Sequence, residues 1–579
     1  MPLKTIKDLV NYFGIFGNKT ATIMKDENDV YQKFTFEEYQ TVAKNIAAYL
    51  QHEKKLKKGD MVAIYSENRP EWMMAYFGIV YNGLWAVPLD ARLSEWEIKN
   101  LLLDCKAEYI FLSYSLYQNL TNEPEIIKHI KEFIIFDLMD VKRHNLTDHK
   151  LQSFKKVVEI GSSFLPKLKS IDLKEDDIAS LIYTSGTTGN PKGVLLSHGN
   201  FAHQFNNLPK AVPISFEDTI LSILPLHHTF EFSVELTSFC IGATITYAES
   251  LKANKLLANI KETNVTILIA VPLIYEKFYD GIMRQLKNLP VGLKQLMFGL
   301  YYLTEGLNEI TNKKAGKLIF KFLRNKANLA TIRFAISGAA PLSMKVAKGF
   351  ETLGLTLLNG YGLTEASPVV SVNRMDRKIK NESVGIPVDQ VEVMIDNPDE
   401  EGQGEVLVRG PNVMKGYYKR PQETKETIDK NGWLHTGDIG KIDSEGYLYI
   451  TGRKKNIIVT PGGKNVYPEE IEEMINESPF ILESLVLGTP VDKDSKGEYI
   501  YAYVVPDYEY FETYAAINNI KVDDEFIEKT IDEHIRNVSS KLPDYKKIRG
   551  WRLRREEFPK TSTKKIKRYL YSGKDFLEI

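Results

Sequence analysis

Apolar positions along the chain follow two alternating spacings. A helical period predicts helices at residues 36–49 and 72–82, while short apolar and β-branched runs predict strands at residues 61–65 and 84–88. Further runs of the strand type occur at residues 109–112, 220–224 and 244–247. Helices and strands that alternate in this way are typical of α/β layers, so α/β is the fold class that we predict.

The pattern changes near residue 402, where turn residues begin to separate short strands. These strands are expected at residues 404–408, 432–435 and 446–450. Beyond them, helices are predicted at residues 468–476 and 524–540. We therefore predict a large N-terminal domain, residues 1–452, made of layered α/β subdomains plus a small β subdomain. A smaller α+β C-terminal domain, residues 453–579, is expected to follow.

Composition narrows the class of protein. The 579 residues include 75 Lys or Arg and 76 Asp or Glu, giving a net charge of −1, which argues against global attraction to nucleic acid. The two cysteines, Cys105 and Cys240, are too few for a disulfide framework. The N-terminus lacks a signal-peptide pattern, and the most apolar short run, residues 265–275, is too short to cross a bilayer. We therefore expect a cytoplasmic enzyme.

Two segments depart from this charge balance. Residues 282–330 carry nine Lys or Arg against Glu305 and Glu309, and residues 541–574 are also strongly basic. One interpretation is that both segments are solvated helix faces. The other is attraction to anionic ligands, or peripheral contact with an anionic membrane surface. The sequence leaves both open.

The most informative segment is residues 183–194, with the sequence YTSGTTGNPKGV. Apolar runs on both sides predict a loop between two strands. The loop holds hydroxyls, glycines and one cation: Thr184, Ser185, Gly186, Thr187, Thr188, Gly189 and Lys192. Glycines allow close backbone approach, and the hydroxyls and the cation can bind the phosphates of a nucleoside triphosphate. It is not a Walker A loop, because Pro191 stands where the second glycine would be and a strand is predicted next.

This loop resembles that of the adenylate-forming superfamily, which includes acyl-CoA synthetases, firefly-type luciferases and peptide-synthetase adenylation domains. Further resemblances recur in family order along almost the whole chain. Membership would imply ATP, Mg²⁺ and CoA as ligands, and a C-terminal domain that is mobile. The sequence is most similar to the long-chain fatty acid–CoA ligases of this superfamily.

Residues 359–365, with the sequence NGYGLTE, resemble the second core signature of the family. The resemblance implies that Asn359, Gly360 and Tyr361 bind the nucleotide, with the Tyr361 ring against adenine. It also implies that Thr364 reaches the α-phosphate and that Glu365 holds Mg²⁺. Thr184 is assigned to the same metal ion. In a similar way, Gly338 and Ala339 belong to a segment whose backbone borders adenine in the family.

The C-terminal motifs also resemble those of the family. Residues 432–438 and 452–453 imply that Asp438 and Arg453 bind ribose. Lys455 is similar to the hinge about which the small domain rotates. Gly462 and Gly463 resemble the loop that approaches pantetheine in the thioester-forming state.

Two further residues are assigned to catalysis through the resemblance. Lys565 falls on the family's catalytic lysine, although Lys564 stands where the family usually has glycine. His228 lies in a motif that borders the carboxylate substrate, and packing is the alternative role for it. His227 and His228 are adjacent, so their side chains are expected to point apart and a shared metal site is not expected.

The implied reaction has two steps, in which a carboxylate and ATP give an acyl-adenylate and pyrophosphate, and a thiol then takes the acyl group. The long apolar and basic segment after residue 277 is similar to long-chain enzymes, so we expect a medium-to-long-chain fatty acid and CoA. An acyl carrier protein as acceptor, or aryl-CoA ligation, is the alternative. A non-catalytic nucleotide sensor and a nucleic-acid-binding tail are further alternatives, although no nucleic-acid partner is expected.

Overall fold

The computed structural model of the protein describes residues 2–138, 150–184, 191–310, 315–490, 497–518, 520–560 and 566–571. The chain forms two compact units. The first comprises Met1–Leu342, Val346–Glu392 and Val408–Leu434, and the second comprises Ser343–Lys345, Val393–Leu407 and His435–Ile579. The domain boundary after residue 452 and the mobility of the C-terminal domain stay predictions.

The first unit contains a mostly parallel sheet of eight strands. In spatial order they are Gly416–Tyr417, Lys192–Ser197, Ile178–Thr184, Trp85–Leu89, Met61–Tyr65, Tyr109–Leu112, Glu132–Ile135 and Leu151–Ser153. The inner strands are apolar runs with both faces buried, as expected where helices cover a parallel sheet. The helices between these strands are Pro70–Tyr81, Glu95–Cys105, Tyr114–Leu120, Pro124–His129 and Phe154–Phe164.

A second sheet of the first unit has nine strands. Their spatial order is Ile386–Pro387, Val369–Val372, Leu357–Gly362, Phe334–Ser337, Ile267–Ala270, Thr219–Ser222, Thr244–Tyr247, Thr20–Lys25 and Tyr31–Thr35. The remaining α-helices that begin in this unit are Ile6–Tyr12, Phe36–Ala48, His198–Ala211, Thr229–Ile241, Ala253–Glu262, Pro272–Lys287, Val291–Ile310, Ala315–Ile319, Lys321–Lys326 and Pro421–Thr427. Capping boxes at Thr35 and Ser197 satisfy the first amides of two of them.

The second unit holds smaller sheets. Most residues of a four-stranded sheet lie in it, with strands Glu392–Asp396, Gly404–Arg409, Leu434–Ile442 and Leu448–Arg453. A two-stranded sheet, Ile458–Val459 and Asn465–Val466, and a three-stranded sheet, Ile481–Pro490, Glu498–Pro506 and Ile548–Leu553, follow. The helices are Pro468–Asn476, Tyr508–Asn518 and Asp524–Lys541, and helix Met344–Thr352 lies at residues shared between the two units. Ile471, Ile475 and Ile531 are fully buried in the core around the three-stranded sheet.

Comparison with the sequence confirms the α/β fold class. The predicted strands at residues 61–65, 109–112 and 244–247 and the helix at residues 468–476 have the bounds expected. The helix predicted at residues 72–82 begins two residues earlier, at Pro70, because proline is well suited to the first helical position. The strand expected to begin at residue 432 begins at Leu434, because Gly432 adopts φ +81° in the preceding turn.

Candidate active site

The phosphate-binding loop predicted from the sequence joins two antiparallel strands, as expected. Ile178–Thr184 enters it and Lys192–Ser197 leaves it, with Thr184 paired opposite Lys192. The Thr184 hydroxyl donates to the carbonyl of Lys192 over 3.4 Å. The assigned residues Ser185, Gly186, Thr187, Thr188 and Gly189 lie outside the described residues.

The cation of this loop contacts a short strand and helix from residues 416–427. Tyr417 pairs with Val194 beside the loop strand. The Lys192 ammonium lies 5.0 Å from the centre of the Tyr417 ring and 2.6 Å from Glu423 Oε2. The hydrogen bond from Lys192, together with that from Arg420, lowers the pKa of Glu423. The carboxylate therefore stays ionised and neutralises the lysine.

Glu365 of the second signature lies at the same tyrosine. The Tyr417 hydroxyl donates to Glu365 Oε1 over 2.9 Å. Burial, followed by the negative charge of Glu365, raises the pKa of Tyr417, so the phenol remains a donor. Glu365 is half-buried in a short 3-10 helix, Thr364–Ala366, at the end of a strand. Tyr417 therefore contacts both the predicted phosphate cation and the predicted metal ligand.

The other residues of this signature have different surroundings. The Thr364 hydroxyl lies 3.5 Å from the Thr229 hydroxyl, next to His228 in sequence. Asn359 donates its side-chain amide to the carbonyl of Ser383 over 3.3 Å, which gives it a structural contact. Gly360 and Tyr361 continue the strand Leu357–Gly362.

Gly338 lies against the His228 motif, in the segment predicted to border adenine. It follows the strand Phe334–Ser337, and a Cβ added to it would lie 3.0 Å from Phe230 Cζ. Glycine is therefore the residue that leaves room for this ring. Ala339 follows with φ +69°, which turns the backbone away from the strand direction.

His227 and His228 lie side by side, which contradicts the expectation that they point apart. Their ring centres are 4.1 Å apart. His227 Nε2 is 3.4 Å from Asp90 Oδ2. Burial opposes ionisation of Asp90, but its interactions with His227 and Arg92 outweigh burial and lower the pKa of this carboxyl. The rule that neighbours alternate holds for a strand, whereas these residues form a turn that leads into the helix Thr229–Ile241.

Two buried carboxyls lie in that helix. Glu231 and Glu235 are each 1% exposed. Burial raises the pKa of Glu231 to about 8 and that of Glu235 well above its usual value, the latter also because of the Glu231 charge. Tyr247 donates to Glu235 Oε2 over 2.9 Å. Burial therefore favours the protonated form of both carboxyls.

The second unit holds the predicted ribose pair. Asp438 and Arg453 are register partners on adjacent antiparallel strands, and Arg453 Nε lies 2.6 Å from Asp438 Oδ1. Asp438 is buried, so its carboxylate is held in one orientation by this pair. The pKa of Lys455 is lowered to about 8, mainly because its ammonium is partly removed from water. The positive charges of Arg453 and Arg568 lower it further.

The remaining C-terminal assignments are a glycine turn and the catalytic lysine. Gly462 and Gly463 form a turn between the strands Ile458–Val459 and Asn465–Val466, and an added Cβ at either would meet no atom within 4 Å. Gly463 adopts φ +74°, a conformation that favours glycine. Lys565 lies outside the described residues.

Within the first unit, the structure therefore brings together the loop cation, the second signature and the His228 motif. Tyr417, Glu423, Asp90 and Thr229 were missed by sequence reasoning. Pro421 after a Gly-Tyr-Tyr segment gave a helix-start signal, but it could not show that residue 417 pairs with residue 194.

Comparison with known proteins identifies the family of this chain. Residues 15–418 match the family described as AMP-binding enzyme, and residues 470–565 match the AMP-binding enzyme C-terminal domain. The chain belongs to the AMP-binding enzyme family. The motifs that suggested the adenylate-forming superfamily thus identified the family correctly.

Several curated proteins are similar to this AMP-binding enzyme. The probable acyl-activating enzyme 16 of Arabidopsis thaliana is 31% identical over 564 residues, covering 86% of this chain and 75% of that protein. A long-chain-fatty-acid–CoA ligase of Escherichia coli O157:H7 is 30% identical, covering 81% of each. A chloroplastic long-chain-fatty-acid–[acyl-carrier-protein] ligase of Arabidopsis thaliana is 30% identical, covering 75% of this chain and 68% of that protein.

Solved structures show the same fold. An anthranilate CoA ligase in complex with anthranoyl-AMP has a TM-score of 0.77 and 21% identity, covering 98% of this chain and 97% of that one. An O-succinylbenzoate CoA synthetase of Bacillus subtilis, in complex with ATP and magnesium, has a TM-score of 0.70 and 23% identity, covering 97% and 98%. These likenesses confirm the predicted fold class of the AMP-binding enzyme along its length.

Proposed function

We propose that this protein activates medium-to-long-chain fatty acids with ATP and transfers the acyl group to CoA. The observation that carries the proposal is the cluster in which Tyr417 contacts both Lys192 and Glu365. It joins a cation suited to phosphate with a carboxylate suited to a hard metal ion. The long-chain acyl ligases among the relatives support a fatty acid as substrate.

In the first step, a carboxylate oxygen of the acid bonds to the α-phosphorus of ATP, and the bond from that phosphorus to the bridging oxygen breaks. Pyrophosphate leaves with the bond electrons. In the second step the thiol sulfur bonds to the acyl carbon, AMP leaves with its phosphate oxygen, and the thiol proton passes to solvent.

The difficulty of the first step is electrostatic, because one anion must approach another. Lys192 is proposed to hold phosphate oxygens, and Lys565 is proposed to lie between the carboxylate and the α-phosphate. A unit charge pair about 4 Å apart at an effective dielectric of 20 interacts by roughly 4 kcal/mol. Lysines at these two points therefore offset much of the repulsion.

The described residues fit Mg²⁺, a hard cation that prefers oxygen ligands. Glu365 supplies a half-buried carboxylate oriented by Tyr417, and Thr184 supplies a hydroxyl beside Lys192. When bound, Mg²⁺ would neutralise triphosphate charge. Tyr361, Gly338 and the pair Asp438 and Arg453 are proposed to hold adenine and ribose.

An acyl carrier protein is the second candidate for the thiol acceptor. Free CoA is favoured by the CoA ligases among the relatives, whereas one relative is an acyl-carrier-protein ligase. An aryl acid is the third option, because a neighbour in fold is an anthranilate CoA ligase. Acceptor and acid are therefore tested together.

Peripheral contact with an anionic membrane is proposed as a second property of a cytoplasmic enzyme. Large apolar side chains between residues 291 and 322 are exposed to solvent: Val291, Leu293, Leu296, Tyr302, Leu303, Leu318 and Phe322. They occur with Lys294, Lys317 and Lys321, and apolar side chains beside cations favour an anionic lipid surface. Among the described residues, no helix is both long enough and apolar enough to span a bilayer.

Two experiments test these proposals. In the first, acids from acetate to eicosanoate, with benzoate and anthranilate, are assayed for AMP release with CoA or with holo acyl carrier protein. AMP release that rises with aliphatic chain length and requires CoA is expected, whereas an aryl preference or a carrier-protein requirement would select an alternative.

In the second experiment, sedimentation of the protein with phosphatidylglycerol vesicles at low salt should exceed that with phosphatidylcholine vesicles. Equal sedimentation would reject membrane contact.

A further inference from the structure

Three potential metal ligands from two distant parts of the chain meet in the first unit. Asp90 follows the strand Trp85–Leu89, and His227 and His228 precede the helix Thr229–Ile241. One oxygen or nitrogen atom from each of the three side chains lies within 4.8 Å of the others. Among the described residues this is the one group of three or more His, Cys, Asp or Glu with that spacing.

The turn that carries the histidines is held in place by Asn68. Asn68 Nδ2 donates to the carbonyl of Leu224 over 2.6 Å, and its Oδ1 accepts from the amide of Leu226 over 2.9 Å. The amide of His228 donates to the carbonyl of Pro225 over 3.0 Å. The backbone around both imidazoles is therefore fixed before any ligand arrives.

His227 carries a buried ring nitrogen, Nε2, that is suited to binding a metal ion. The residue is 8% exposed, and its Nε2 is buried without a hydrogen-bond partner among the described residues. The Asp90 oxygen 3.4 Å away is at ion-pair distance. Buried polar atoms in this state are uncommon, because a buried group that makes no hydrogen bond destabilises the folded protein.

The spacing and the chemistry agree on one class of ion. In a tetrahedral zinc site with metal–ligand distances near 2.0–2.2 Å, neighbouring ligand atoms are about 3.3–3.6 Å apart. The 3.4 Å between His227 and Asp90 has this length. Imidazole nitrogen favours zinc and other late transition metals, whereas Mg²⁺ favours oxygen ligands throughout.

We propose that Asp90, His227 and His228 form a binding site for a divalent transition-metal ion of the zinc class. Its three ligands differ from those of the magnesium site proposed at Glu365. It does not depend on the proposed function, because metal binding is measured without ATP or acid. If His228 also borders the acyl carboxylate, occupancy by zinc would compete with the fatty acid.

Arg92 is a cation that competes with a metal ion for Asp90. The amide and Nε of Arg92 donate to Asp90 Oδ1 over 3.0 and 3.1 Å, and an Arg92 NH2 group donates to Oδ2 over 3.3 Å. The Arg92 side chain is 49% exposed. The Asp90 side chain is only 14% exposed, but the guanidinium is half in solvent and can return to water when a metal ion binds the carboxylate.

The test is calorimetric titration of the untagged, chelator-treated full chain with zinc chloride, and absorption of the cobalt complex. One equivalent of zinc is expected, with tetrahedral cobalt bands. Asp90→Asn and His227→Gln should each weaken binding at least about tenfold, whereas His534→Gln, in the helix Asp524–Lys541 of the second unit, should not. Binding that is undetectable in the wild type, or unaffected by both cluster variants, would overturn the proposal.

A variant that binds zinc more tightly than wild type separates a specific effect on the site from misfolding. Arg92→Gln removes the competitor for Asp90 and should tighten zinc binding, an outcome that damage to the fold would not produce. Unchanged or weaker binding by a folded Arg92→Gln protein would count against Asp90 as a ligand. If zinc inhibits the enzyme and added fatty acid relieves the inhibition, the metal site is linked to the acyl pocket. The titration measures metal binding alone, so its result stands even if the proposed function is wrong.

Discussion

Lys192 Nζ lies 2.6 Å from Glu423 Oε2, so the lysine predicted to bind phosphate is already neutralised by an internal carboxylate. Arg420 holds the other oxygen of that carboxylate at 2.8 Å. A triphosphate that uses Lys192 must therefore displace or share this partner. The contact gives the loop cation a defined position before nucleotide binds.

The first prediction concerns this ion pair. Glu423→Gln removes the competing charge while keeping the shape, so the KM for ATP should fall by up to about fivefold, as expected for a partly exposed pair worth about 0–1 kcal/mol. The measurement is the KM for ATP at saturating fatty acid. Glu426→Gln, in the same helix but bonded to Gln422, is the control. A raised KM would mean that Glu423 positions Lys192 for phosphate.

The second prediction concerns the tyrosine between the two signatures. Tyr417→Phe keeps the ring beside Lys192 and removes the donor to Glu365 Oε1. Hydrogen bonds to charged groups contribute about 1.5–3 kcal/mol, so the Mg²⁺ concentration for half-maximal activity should rise about tenfold or more. Tyr418→Phe, one residue further, should leave it unchanged. An unaltered magnesium dependence of Tyr417→Phe would argue that Glu365 is not the metal ligand.

The sequence could predict those parts of the site whose residues are close together in the chain. The loop between two strands, the short segment at Glu365 and the pair Asp438 and Arg453 follow from local motifs, and the strand register agrees with them. The contacts of Tyr417 could not be predicted, because they join strands that are far apart in sequence. Only tertiary pairing brings them together.

The two histidines show a second kind of failure. Alternation of side chains is a rule for extended strands, and the sequence of residues 227 and 228 does not show whether their backbone is extended. The backbone there turns into a helix, with Asn68 bonded on both sides of Pro225. The orientation of a side chain in a turn depends on such distant partners, which composition and spacing do not reveal.

A third prediction tests the ribose assignment. Asp438→Asn should raise the KM for ATP about tenfold or more, because a charged hydrogen-bond acceptor is lost. The KM for 2′,3′-dideoxy-ATP should change little, since that nucleotide lacks the hydroxyls. The two substrates and two proteins form a double-mutant cycle. An equal rise for both nucleotides would mean that Asp438 acts only by holding Arg453.

A fourth prediction follows from the buried carboxyl Glu231. Its pKa is about 8 in the folded state, so the folded protein keeps a proton that the unfolded chain has released above about pH 4.5. Between these values the unfolded state binds fewer protons, and the free energy of unfolding falls as pH rises. Glu231→Gln cannot titrate, so in urea unfolding its stability relative to wild type should increase from about pH 5 to about pH 8. A difference that is constant with pH, as expected for exposed Glu37→Gln, would contradict the raised pKa.

The most direct test of the central claim is exchange of labelled pyrophosphate into ATP, with palmitate and without any thiol. Formation of an acyl-adenylate predicts exchange that requires the acid. In Lys565→Ala this exchange should fall by about 10²–10³, while thioester formation from preformed acyl-adenylate is better retained. Exchange that is absent with every fatty acid, or a loss of both half-reactions to the same extent, would contradict the account.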